Sequence, residues 1–117
     1  MNILIAIDES AYSKAALEAV LARPWPDEAR FKVITVVEPF HPEYAGWQTN
    51  YVPLAIEAQK AQVESAQKLV DDAKQALQAK FGGDRSEGEV LEGYIKDAIL
   101  DAAKHLPAYL IVVGSHG

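Results

Sequence analysis

Two short polar clusters have the residue types and spacing for binding chemistry. Asp8-Glu9-Ser10 directly follows the apolar run Ile3-Leu4-Ile5-Ala6-Ile7, and Gly114-Ser115-His116-Gly117 directly follows Tyr109-Leu110-Ile111-Val112-Val113. A carboxylate at position 8 can accept hydrogen bonds from a ribose hydroxyl, as acidic residues do in dinucleotide-binding folds. Asp8 is equally suited to capping a helix that starts near Ser10, since Asp and Ser are good N-cap residues. Gly114 and Gly117 carry no Cβ, so backbone N–H groups there can approach a ligand closely and positive φ is open to them. A plain strand-to-helix turn asks for the same glycines. Each cluster therefore has a binding reading and a structural one.

Other combinations offer less. Ser115 and His116 are adjacent, but sequence neighbours seldom face each other, and no third residue orients the pair. The setting is also not a Gly-x-Ser-x-Gly elbow. His41, His105 and His116 are too far apart for metal-ligand spacing. His105 falls in the last turn of a helical pattern, where a cation suits the helix dipole. Glu87, Glu89 and Glu92 read as a solvated edge in preference to an acid–base pair. Tyr44, Trp47 and Tyr51 cluster in a stretch rich in Pro and aromatics. They fit a lid over an apolar ligand, a partner surface, or a satellite core folded onto the helix that follows.

Both polar clusters need rigid elements behind them. The apolar runs at 3–7, 31–37 (FKVITVV) and 109–113 are short, continuous and rich in β-branched residues. Such runs fit strands buried on both faces of a parallel sheet. Residues 86–91 form a weaker candidate, interrupted by Gly88, and belong at an edge. Between the runs lie helix-period segments. At 10–21 the apolar positions are Ala16, Leu17, Val20 and Leu21, with Pro24 beyond as a stop. At 53–81 Val63, Leu69, Val70, Ala73, Ala76 and Leu77 form one stripe, bounded by Pro53 and by Gly82-Gly83. A helix of that span reaches about 40 Å at 1.5 Å per residue, and its length allows a break near its start. At 94–106 Ile95, Ala98, Ile99, Ala102 and Ala103 face inward. Alternation of this kind implies βαβ units with right-handed crossovers and an open parallel α/β sheet with helices on both faces. Ligands then bind at the carboxyl ends of the strands, where both polar clusters fall. The stretch 38–52 has no period of 2 or 3.6, and a structureless connection of that length is usually functional or mobile.

Composition narrows the function classes. The chain has 117 residues, no Cys, half its residues apolar, and 17 acidic against 11 basic side chains for a net charge of −6. Its length suits one domain, 1–117. The apolar content argues against disorder, and the acidic balance without a Lys/Arg cluster argues against nucleic acid as a partner. Without Cys there is no thiolate nucleophile and no thiolate metal site. No apolar run approaches the roughly 20 residues that span a bilayer. The start Met1-Asn2-Ile3-Leu4 shows no basic segment of a signal peptide. The expectation is a cytoplasmic protein.

The start ILIAIDES, the middle FKVITVVEP and the ending GYIKDAILDAAKHLPAYLIVVGSHG together resemble the universal stress protein family. The resemblance covers nearly the whole chain, and the last 25 residues carry it most specifically. It implies a Rossmann-like sheet of the adenine-nucleotide α-hydrolase type with strand order 3-2-1-4-5, and a homodimer. Many members bind ATP through Gly, two residues, Gly, nine residues, then Gly and Ser/Thr; others bind no nucleotide. By position, the resemblance implies that Asp8 meets the ribose side of ATP or AMP. Ala6 would line the adenine pocket, Val36 would offer backbone groups to the adenine edge, and Val113, Gly114 and Gly117 would match the first half of the glycine pattern. It moves Asp8 and the GSHG turn toward their binding readings. It also implies a final helix and strand, with the Gly-Ser/Thr of the pattern, beyond Gly117. The chain has no Gly-x-x-x-x-Gly-Lys-[Ser/Thr] loop, so the expectation is a regulatory binding protein and not an enzyme, any ATP hydrolysis being slow and incidental. The alternative is a dimeric stress-response interaction protein without nucleotide.

Overall fold

Runs of β-branched and aliphatic residues alternate with helix-period segments and build a parallel sheet in the computed structural model. It describes residues 1–38 and 51–114, the side chains of 51–55 excepted. The elements in chain order are β1 (Asn2–Ile7), α1 (Ala11–Ala22), β2 (Arg30–Val37), α2 (Tyr51–Phe81), β3 (Ser86–Glu92), α3 (Ile95–His105) and β4 (Leu110–Gly114). The strands lie in the order β3-β2-β1-β4, all parallel. β1 is thus flanked by β2 and β4, with Ile5 in register with Val33 on one side and Val112 on the other. This is the α/β architecture expected from the sequence, and it sets the ends of β1 and β4 side by side.

Alternation along β1 divides the core in two. Ile3, Ile5 and Ile7 join Phe31 and Val33 of β2 under α1 and α2, which contribute Val20, Val70, Ala73 and Leu77. Leu4, Ala6 and Ile34 face the other way, toward Ile99, Ala102 and Ala103 of α3. β3 is an edge strand, yet it pairs with β2 from Ser86 opposite Phe31 to Glu92 opposite Val37. Its Gly88 has a packing reason. A Cβ there would lie 2.2 Å from Cγ1 of Val70, so only glycine lets α2 settle on the strand.

Three details differ from the sequence reading. α2 runs unbroken for 31 residues, because its buried stripe through Ala66, Val70, Ala73 and Leu77 keeps helical spacing along β2 and β3. Ile95, expected to face inward, is 44% exposed. The sheet offers α3 only a small patch around Leu4, Ala6, Ile34 and Leu91, and that patch is covered by the turns carrying Ile99, Ala102 and Ala103. β4, expected to be buried on both faces, is partly buried on one. Leu110 and Val112 pack toward α1 and α2, whereas Ile111 is 40% and Val113 52% exposed on the α3 side.

Candidate functional site

The turn after β1 is held by short hydrogen bonds among small polar residues. Ser10 is the N-cap of α1, with β-region backbone, and its Oγ accepts the backbone N–H of Ser13 at 3.3 Å. Asp8 is therefore not the cap residue that the structural reading of the sequence assigned. Its Oδ1 instead accepts the backbone N–H of Ser10 at 2.8 Å, closing an Asx turn ahead of the helix. The Ser13 hydroxyl, in the first turn of α1, lies 2.9 Å from the same oxygen and accepts the backbone N–H of Asp8 at 2.6 Å. Asp8 is half-buried. A carboxylate offers about four acceptor positions on two oxygens, and at Oδ1 Asp8 meets both Ser10 N–H and the Ser13 hydroxyl.

Asp8 borders a cleft of about 450 Å³ at the carboxyl ends of β1 and β2. Thr35, Val36 and Val37 of β2 form one wall, and Gln62, Ser65, Ala66 and Leu69 of α2 form the opposite one. Three carboxylates, Asp8, Glu9 and Glu38, stand around it, and none of its described lining residues is Lys, Arg or His. Thr35 is buried, and its Oγ1 has no hydrogen-bond partner among the described residues, a rare condition for a buried hydroxyl. A second cavity of about 490 Å³ shares Asp8, Glu9 and Leu69 with the cleft and continues between α1 and α2 past Lys14 and Asp72.

The residues singled out in the sequence divide accordingly. Asp8 and Val36 meet in the cleft. Gly114 lies behind them, where Ser13 donates to its carbonyl oxygen. A Cβ on Gly114 would lie 2.6 Å from Cα of Ser13, 2.7 Å from Cβ of Ala16 and 2.8 Å from the Tyr12 carbonyl oxygen. Close packing of α1 on the end of β4 is thus a sufficient reason for glycine at this position. Ala6 packs on the α3 face with Leu4 and Ile34, and Val113, its register partner, faces the same side. Neither belongs to the cleft wall. Gly117, Ser115, His116, His41, Tyr44 and Trp47 lie outside the described residues. His105 ends α3, with its Nδ1 2.9 Å from the Asp101 carbonyl oxygen.

Sequence reasoning missed Ser13, Thr35, Gln62 and Ser65. Ser13 carried a signal, as a serine on the inward side of a helix otherwise lined by Ala16, Leu17 and Val20. The other three had none, because which turn of α2 meets which end of β2 is a tertiary matter. Among the described residues no cluster of acidic or His side chains is arranged to hold a metal ion. No helix among them is long and apolar enough to cross a membrane.

Comparison with known proteins identifies the family and the fold. The sequence matches the universal stress protein family over residues 1–117. It is 35% identical over 116 residues to a Thermus aquaticus universal stress protein from the QAH/OAS sulfhydrylase 3′ region, covering 99% of this chain and 77% of that one. The fold is similar to universal stress protein UspA from Lactobacillus plantarum, with a TM-score of 0.76 at 22% identity over 100% of this chain and 80% of that one. It is also similar to a universal stress protein solved in complex with cAMP, with a TM-score of 0.63 at 19% identity over 97% of this chain and 75% of that one.

Proposed function

Since the chain belongs to the universal stress protein family, we propose that it is a regulatory protein that holds an adenine nucleotide in the cleft beside Asp8. The observation that carries this reading is the carboxylate of Asp8, anchored at the carboxyl end of β1 and facing a cleft walled by β2 and α2. That is where open parallel sheets take their ligands. In this reading Asp8 accepts hydrogen bonds from the ribose, and the backbone at Val36 meets the adenine edge. Gly114 backs the site, and Gly117 is assigned to its phosphate side by the glycine pattern alone. The unpartnered hydroxyl of Thr35 suits a ligand with polar edges. A fold relative with cAMP bound supports the choice of nucleotide. The reading includes a cytoplasmic homodimer that binds and signals without catalysing. A monodisperse monomer by light scattering at high concentration removes the dimer from it.

One observation favours the rival, an interaction protein without nucleotide. The described cleft wall sets three carboxylates and no cationic side chain where a phosphorylated ligand would lie. Calorimetric titration with ATP and with cAMP separates the two, since the rival predicts no binding of either. For the nucleotide reading, Asp8→Ala weakens binding by about 1.5–3 kcal/mol, the range for hydrogen bonds to charged groups. That corresponds to roughly ten- to a hundredfold in dissociation constant. If Asp8 serves only the turn, a denaturant melt shows about 1 kcal/mol of lost stability, the size of a lost cap, with affinity unchanged.

A further inference from the structure

One buried hydroxyl joins the two strand ends that border the site. Ser13 is 3% exposed and sits in the first turn of α1. Its Oγ accepts the Asp8 backbone N–H at 2.6 Å, and its single hydrogen faces two acceptors, Asp8 Oδ1 at 2.9 Å and the Gly114 carbonyl oxygen. Two of these contacts are local; the third spans 101 positions of the sequence. Helix capping does not require any of them, because Ser10 supplies the cap. α1 packs so closely on Gly114 that a Cβ there would lie 2.6 Å from Ser13 Cα, which carries the hydroxyl between β1 and β4.

We infer that Ser13 is a positioning residue of the nucleotide site, acting through Asp8. The inference rests on the reading under Proposed function and deepens it. An Asp side chain at a strand end has two rotatable bonds, and a ligand that binds a wandering carboxylate must spend part of its binding energy on ordering it. Ser10 N–H donates to Oδ1, and the Ser13 hydrogen is shared between Oδ1 and the Gly114 carbonyl oxygen, so the carboxylate is oriented before the ligand arrives. The contact from Ser13 to Gly114 sets the spacing between that carboxylate and the end of β4. Ser10 could be replaced by any other capping residue at little cost to the site, whereas Ser13 is the residue common to both strand ends.

The test is a double-mutant cycle read by calorimetric titration with cAMP and with ATP on wild type, Ser13→Ala, Asp8→Ala and the double variant. Ser13→Ala is expected to weaken binding of whichever probe the wild type takes by about tenfold, and to change affinity less than twofold once Asp8 is already Ala. Ser13→Cys keeps a weak donor and acceptor on a somewhat larger side chain. Measured beside Ser13→Ala, so that the test survives the loss of either variant, it is expected to weaken binding about threefold, again only in the presence of Asp8. A purely structural Ser13 would lower the melting temperature in both backgrounds and leave both affinities alone, and that result overturns the inference. Equal losses of affinity with and without Asp8 overturn it too. A wild type that binds neither probe removes the nucleotide reading itself, and the inference with it.

Discussion

The two faces of the sheet are built from the same strands and sealed to very different degrees. Under α1 and α2, β1 and β2 bury Ile3, Ile5, Ile7, Phe31 and Val33 among ten tightly packed residues, with aromatic packing at the amino end. There Phe31 stacks on Phe81 at 4.9 Å and meets Trp25 edge-on at 6.0 Å. Arg85 closes that end, donating to the carbonyl oxygens of Ala29, Phe81 and Pro26. Under α3 only Leu4, Ala6 and Ile34 are buried, and β4 presents Ile111 and Val113 half-open. The candidate cleft lies on the well-sealed side, between β2 and α2. A binding wall built on the rigid face keeps its shape, whereas the α3 face offers apolar surface with less behind it.

Three substitutions measure this contrast, beginning with the largest effect. Phe31→Ala removes the ring around which the α1–α2 side is packed, and a cost of about 3–5 kcal/mol is expected in a denaturant melt. A loss below about 1 kcal/mol would mean that the two faces are not as unequal as their burial suggests. Gly114→Ala pushes a methyl group into Ser13, Ala16 and the Tyr12 carbonyl, atoms that belong to backbone or stand directly on it. Overpacking of this kind costs about 1–3 kcal/mol. If the mutant melts like wild type, α1 does not sit so closely on β4 in solution. Val113→Thr, on the open side, is expected to stay within about 0.5 kcal/mol, as exposed substitutions do. A cost above about 2 kcal/mol would show that something covers the α3 side of β4 in solution.

The elements were legible in the sequence for a simple reason. Local periodicity reports which residues want burial, and the runs 3–7, 31–37 and 109–113 differ plainly from the stripe through Leu69, Val70, Ala73 and Leu77. Even the edge strand around Gly88 was visible, although the reason for that glycine was not. Val70 approaches it from α2, some 18 positions upstream in the sequence, and no local pattern encodes such a contact. Of the candidate cleft, the place of Asp8 was legible, since a carboxylate directly after a buried strand has few places to go. The wall of the cleft was not. Ala6 and Val113 were grouped with Asp8 by resemblance, yet strand parity turns both toward α3.

By itself, then, the sequence determined the kinds and order of the elements, the parallel sense of the sheet, and the placing of polar clusters at strand ends. These follow from side-chain period, β-branching and the handedness of crossovers, all of which act along the chain. The tertiary structure decided which helix turn faces which strand end, how fully each face is sealed, and why Gly88 and Gly114 lack side chains. It also assigned Ser13 to the gap between β1 and β4. Those outcomes depend on distances of a few ångströms between segments as much as 101 positions apart, set only when the core packs.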